Sequence, residues 1–157
     1  EEQEVRVAAA LSAGGMNRPA AELLRKAVEG GSGSSALHLR LAGALEVLDN
    51  PAGALRHYRA ALTLQPDSSP ARGRMTALLL ALGRNGEAAE ALEELVKREP
   101  ENVTALLMLG RLYAGPLARP RDAAKLLLRV LDLEPHNAAA QELLAICRQA
   151  AAAEGED

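Results

Sequence analysis

Three prolines set the ruler for this chain. Pro66 and Pro100 stand 34 residues apart, Pro135 follows 35 residues later, and each closes an apolar stretch: LTLQP, VKREP and LDLEP. A chain that returns to the same punctuation at this period is repeating one supersecondary unit. Such a unit can bury its apolar face only against its neighbours. Registered on the prolines, the sequence divides into residues 1–34, 35–68, 69–102 and 103–137. The last repeat carries one extra residue, and Ser32 replaces the closing proline of the first.

Columns appear within that frame. The twentieth position is always alanine: Ala20, Ala54, Ala88 and, past the insertion, Ala123. The eighth is small in Ala8, Ala42 and Gly110, with Thr76 the exception. The seventh (Val7, Leu41, Met75, Leu109) and the eleventh (Leu11, Leu45, Leu79, Tyr113) are apolar. Helices approach to about 8–10 Å only where the crossing is lined by small side chains, so these columns predict paired helices. Composition agrees. Ala and Leu supply most of the apolar content, and the chain has two Tyr and neither Phe nor Trp. Both dominant residues are strong helix formers, and an all-α fold is expected.

Local signals place the helix ends. Asn50-Pro51 and Ser69-Pro70 read as an N-cap followed by proline in the first turn, with Pro19 a weaker case. Gly14-Gly15 and Gly83 read as C-terminal stops. Helices are expected at about 3–13, 18–29, 35–48, 51–64, 70–82, 86–98, 103–114, 120–133 and 138–152. The GGSGSS stretch at 30–35 is read as an ordered loop between repeats, and residues 115–122 as a longer turn.

The period, the small-residue columns, Tyr58, Tyr113, Ala27, Ala61 and the three prolines together resemble the tetratricopeptide repeat family over nearly the whole chain. The fourth position departs from that pattern, with Glu4, His38, Arg72 and Leu106 where tryptophan is usual. The resemblance implies a right-handed superhelical solenoid of four hairpins forming one domain, residues 1–153. A capping helix at 138–152 would close it, with Leu144 and Ala145 at the seventh and eighth places, and a disordered tail would follow at 154–157.

In stacked hairpins the first helix of each pair lines the inner wall. At about 100° per residue, repeat positions 2, 6, 9 and 13 share one stripe. Position six gives Arg6, Arg40 and Arg74, then Met108; Arg111 at position nine extends the basic character. Leu39, Gly43, Ala77 and Leu107 lie around them, with Glu2 and Glu46 partly offsetting the charge. These nine basic, small and apolar residues are the candidate site. An apolar trough with an arginine rail suits a peptide or amphipathic helix with acidic side chains. The bland alternative is a solvated ladder copied by the repeat. A protein-interaction scaffold is therefore expected, with a regulatory or substrate-recruiting arm of a larger enzyme or assembly protein as the alternative. Binding by the convex face or by an edge, and self-association, are further outcomes.

Other chemistries find little support. A net charge of −3 argues against general nucleic-acid binding. A pentatricopeptide-like RNA reader would need a polar residue at position five, which holds Val5, Leu39, Gly73 and Leu107. Some tetratricopeptide proteins clamp chaperone tails with Lys and Asn on successive first helices. Here Val5, Ala9, Arg40 and Pro70 stand at those places and only Arg74 fits, so no such clamp is expected. His38, His57 and His136 show no metal-ligand spacing with Cys147 or a carboxylate. His38 is read as a satisfied core imidazole and Cys147 as buried. Neither catalysis nor a cofactor or metal is expected. No apolar run reaches the roughly 18–20 residues that cross a bilayer. A soluble domain, cytoplasmic or periplasmic, is expected, cut from a longer chain because Met does not stand first. The Ala-, Leu- and Arg-rich composition suggests a GC-rich bacterial source.

Overall fold

The computed structural model describes residues 2–31 and 33–153. Those residues form nine α-helices and no strand: α1 (Glu2–Ala13), α2 (Asn17–Glu29), α3 (Ser35–Val47), α4 (Pro51–Leu64), α5 (Ser69–Ala81), α6 (Asn85–Arg98), α7 (Val103–Ala114), α8 (Pro120–Leu133) and α9 (Ala138–Ala153). The expected tail at 154–157 lies outside the described residues, as does Ser32 of the GGSGSS loop.

Side-chain caps start the first helices. Ser34 accepts from the Leu37 amide at 3.3 Å, Asn102 from Ala105 at 2.9 Å and Asn137 from Ala140 at 3.0 Å. Asn50 likewise caps α4, accepting from Gly53 at 2.9 Å with Pro51 in the first turn. A Cβ at Gly53 would stand 2.9–3.0 Å from the Asn50 side chain, so that cap needs glycine there. Helix α5 begins at Ser69, not after it as the Ser69-Pro70 signal suggests. The preceding Ser68 occupies the cap place, and its carbonyl takes the Arg72 amide at 3.1 Å.

The turn inside each hairpin repeats as faithfully as the prolines do. Gly15, Asp49, Gly83 and Ala118 all have positive φ: 78°, 56°, 68° and 47°. In the first three repeats the next amide reaches back five residues, Met16 to Leu11, Asn50 to Leu45 and Arg84 to Leu79. This is the bond that satisfies a helix's last carbonyls. In the fourth, Arg119 reaches Tyr113, six residues back. The extra residue of that repeat is thus absorbed in the turn, and the helices keep their register.

The chain packs as two units, Glu1–Leu78 and Leu79–Asp157. In the first unit, Ala8, Ala20, Leu24, Leu37 and Leu41 are among the residues that form a buried cluster. Ala54 and Tyr58 of α4 are fully buried. In the second unit, α8 packs on α7, and α9 lies against both. Leu106, Leu109, Leu127 and Val130 are buried there, as are Ala140, Leu144 and Cys147 of α9. Ala20, Ala54, Ala88 and Ala123 are all 0% exposed, as expected of a crossing column. Gly110 shows why the eighth position is small: a Cβ there would stand 3.1 Å from Leu127 Cδ2.

Some apolar positions leave the pattern. Val7 is 45% exposed although Leu41, Met75 and Leu109 of its column are buried, because no described helix packs on that flank of α1. Ala145 of α9 is exposed for a similar reason: no described helix crosses it. Of the leucines in the runs Leu78–Leu82 and Leu126–Leu128, only Leu79 and Leu127 are buried. Leu82 and Leu128 are exposed, since consecutive helical residues diverge by about 100°.

Candidate functional site

In the first unit a groove of about 510 Å³ opens between the first helices. Ala8, Ala9 and Ser12 of α1 form one side, and Pro70 and Arg74 of α5 another. Ala36, Leu39, Arg40, Gly43 and Val47 of α3 run between them. The helical arithmetic explains the α3 contribution, because positions 36, 40, 43 and 47 lie within about 60° of one another. Of the expected site residues, the structure gathers Leu39, Arg40, Gly43 and Arg74 here. Arg6 lines a different depression on α1, beside Glu2, Gln3, Val7 and Ala10. Ala77 is exposed on α5 and does not line the groove. Leu107 and Met108 are half-buried and Arg111 is exposed, all on α7 of the second unit.

The two groove arginines are held differently. Arg40 is exposed, with neither an ion pair nor a hydrogen bond of its side chain among the described residues. Arg74 lies against Gly43, where an added Cβ would meet its Nη1 at 3.5 Å. The Arg74 guanidinium also stands beside the hydroxyl of Tyr58, where its charge works against the rise of that group's pKa. That hydroxyl donates to Glu46 Oε1. A relay of polar groups thus runs from Glu46 on α3 to Tyr58 on α4, with the Arg74 guanidinium of α5 beside it. Burial, and then the neighbouring Glu46 carboxylate, push the Tyr58 pKa well above its ordinary value. The phenol stays protonated and the relay intact at any ordinary pH. The second unit has a counterpart: Tyr113 donates to Glu93 and carries the Arg119 guanidinium 4.0 Å above its ring. Burial and Glu93 push its pKa up to about 12. In the sequence Glu46 stands only as a charge offset, and the relay is not apparent. Its signal was a tyrosine twelve residues after a glutamate, legible only once the hairpin is closed.

The histidines also differ from expectation. His38 is half-buried, not sealed in the core, and its Nδ1 lies 2.9 Å from Nδ1 of His57 on the partner helix α4. The rings stack with centroids 5.2 Å apart. Burial lowers both pKa values, and for His57 the charges of His38 and Arg56 lower it further. Cys147 is 1% exposed, and burial pushes its thiol pKa up, away from the reactive thiolate. Among the described residues no three His, Cys, Asp or Glu side chains cluster as metal ligands, and no helix is long and apolar enough to cross a membrane.

Comparison with known proteins bears on the fold. Two family models described as tetratricopeptide repeat match residues 7–69 and 48–109. A human FK506-binding protein-like protein is 37% identical over 103 residues, 60% of this chain. The chain spans only 29% of that relative's length. The crystal structure of a tetratricopeptide repeat protein from Parabacteroides merdae superposes with a TM-score of 0.79 at 21% identity, covering 99% of this chain and 61% of that one. YrrB, described as a TPR protein with an unusual peptide-binding site, gives 0.65 at 22% identity, covering 86% of this chain and 69% of its own. These likenesses place the fold among the all-α helical-repeat solenoids.

Proposed function

The chain belongs to the tetratricopeptide repeat family, and from that premise we propose that it is a non-catalytic scaffold that holds an acidic peptide or amphipathic helix in the groove of its first unit. Folds of this family generally serve as protein-interaction modules. Here the groove supplies both halves of such recognition, an apolar bed in Ala9, Leu39 and Val47 and two guanidiniums in Arg40 and Arg74. The observation that carries the reading is the state of those arginines. Arg74 lies against Gly43 and beside the Tyr58 hydroxyl, while Arg40 is free to pair. Pre-organising one donor lowers the cost of ordering it on binding, and arginine pairs with a carboxylate through two parallel bonds. In this reading Arg6 and Ala77 are peripheral, and Leu107, Met108 and Arg111 belong to α7 of the second unit. Bound peptide, not nucleic acid or lipid, is the expected partner. The peptide-binding description of YrrB is consistent with this class of ligand.

The test is a random peptide library panned on the purified chain, with binders measured by fluorescence anisotropy. Selected sequences should be rich in Asp and Glu beside apolar residues. Arg40→Glu should weaken them by at least about tenfold, the loss of a charge-assisted contact, with the melting curve unchanged. Binders indifferent to both Arg40→Glu and Arg74→Gln would remove the groove from the model.

A further inference from the structure

We propose that a second cleft of the first unit, on the far side of α3 from the groove, binds an anionic side chain of a partner polypeptide, a carboxylate or a phosphomonoester on an apolar stem. The cleft measures about 200 Å³, the scale of one side chain. Its floor is apolar, from Leu41, Leu45 and Leu48 of α3, and Arg18, Arg25 and Arg56 line it from α2 and α4. Around α3 the leucine stripe lies about 140° from the stripe that lines the groove. The two openings share no lining residue.

Charge is what marks this cleft. Arg18 and Arg25 are seven residues apart on α2 and so project from one side of it. Arg56 faces them from α4. The cleft's one carboxylate is Glu22, within a helical turn of both α2 arginines, yet it pairs with neither, nor does Arg56 have an ion-pair partner among the described residues. In the second unit the same spacing is used differently. Arg84 pairs with Glu87, Lys97 with Glu94 at 2.6 Å, and Arg119 with Asp122 at 2.8 Å. Arg84, Lys97 and Arg119 are neutralised locally, whereas three guanidiniums stand unneutralised around this one apolar-floored hollow. Like charges held together repel, and an incoming anion removes that repulsion while pairing with planar donors. The leucine floor selects a ligand whose charge is carried on a carbon stem, which free phosphate lacks.

The experiment is a titration followed by the side-chain Nε resonances of arginine in the full chain. Three probes are used: N-acetyl-phosphotyrosine amide, N-acetyl-glutamate amide and the uncharged N-acetyl-tyrosine amide. The expected result is saturable shifts at Arg18, Arg25 and Arg56 with one or both anionic probes and none with the uncharged one. The stronger anionic probe identifies the head group. The double variant Arg25→Gln with Arg56→Gln should weaken binding by at least about tenfold, and Arg40→Gln should leave it unchanged. That last arm separates this cleft from the peptide groove, since either can fail alone. No saturable shift, shifts that survive the double variant, inorganic phosphate binding as well as the stemmed probes, or displacement of the probe by a single-stranded RNA oligonucleotide as effective as a phosphopeptide would each overturn the proposal.

Discussion

At the scale of single residues, the histidine pair gives the chain a stability term in mild acid. Both imidazoles have pKa values below the ordinary 6.5 in the folded state. The unfolded chain therefore binds protons more readily in the interval beneath 6.5, and folding loses ground there as pH falls. Above 6.5 the contribution is complete, and below the folded values it is spent. A thermal melt of wild type should drop between pH 7 and 5 more steeply than that of the His38→Gln, His57→Gln double variant, followed by circular dichroism; superimposable profiles would dismiss the term. Neither the pair nor the tyrosine relay was visible in the sequence. His38 and His57 are nineteen positions apart and meet only through the α3–α4 turn, and periodicity does not report such distances. The alanines are the opposite case. Ala54 was identified by column alone, and it is 0% exposed. Ala54→Leu should overpack that crossing and cost about 1–3 kcal/mol in a denaturant melt.

At the scale of elements, helix positions were legible to within a residue or so because caps, prolines and apolar spacing agree locally. What the sequence concealed was the conformation of two turn residues. Gly15 and Gly83 announce a left-handed backbone, whereas Asp49 and Ala118 adopt one without announcing it. Aspartate tolerates that region, but alanine meets its own carbonyl there at a cost of about 1–2 kcal/mol. Ala118→Gly should relieve the clash and give back part of the gain through a freer unfolded chain. The net is about 0.5–1 kcal/mol more stability, readable as a melting temperature higher by about 1–4 °C. A lower melting temperature would show that the turn is not strained. The groove follows the same division. Its α3 wall was read from helical arithmetic, but the departure of Arg6 from it was not. The repeat pattern fixes what faces a neighbouring helix and says little about a flank that has none.

At the scale of the molecule, the family could be read directly, because it lives in period and small-residue columns. The ligand could not, because the same columns are shared by scaffolds with unrelated partners. One architectural detail bears on how such a chain can change. Its fourth hairpin carries an additional residue in the turn, yet the helices on either side still bury Ala123 and Gly110 as their counterparts are buried. The interhelical bend therefore acts as an expansion joint. Length altered at that corner leaves the seams in step, whereas one residue added within α7 or α8 would rotate every contact beyond it.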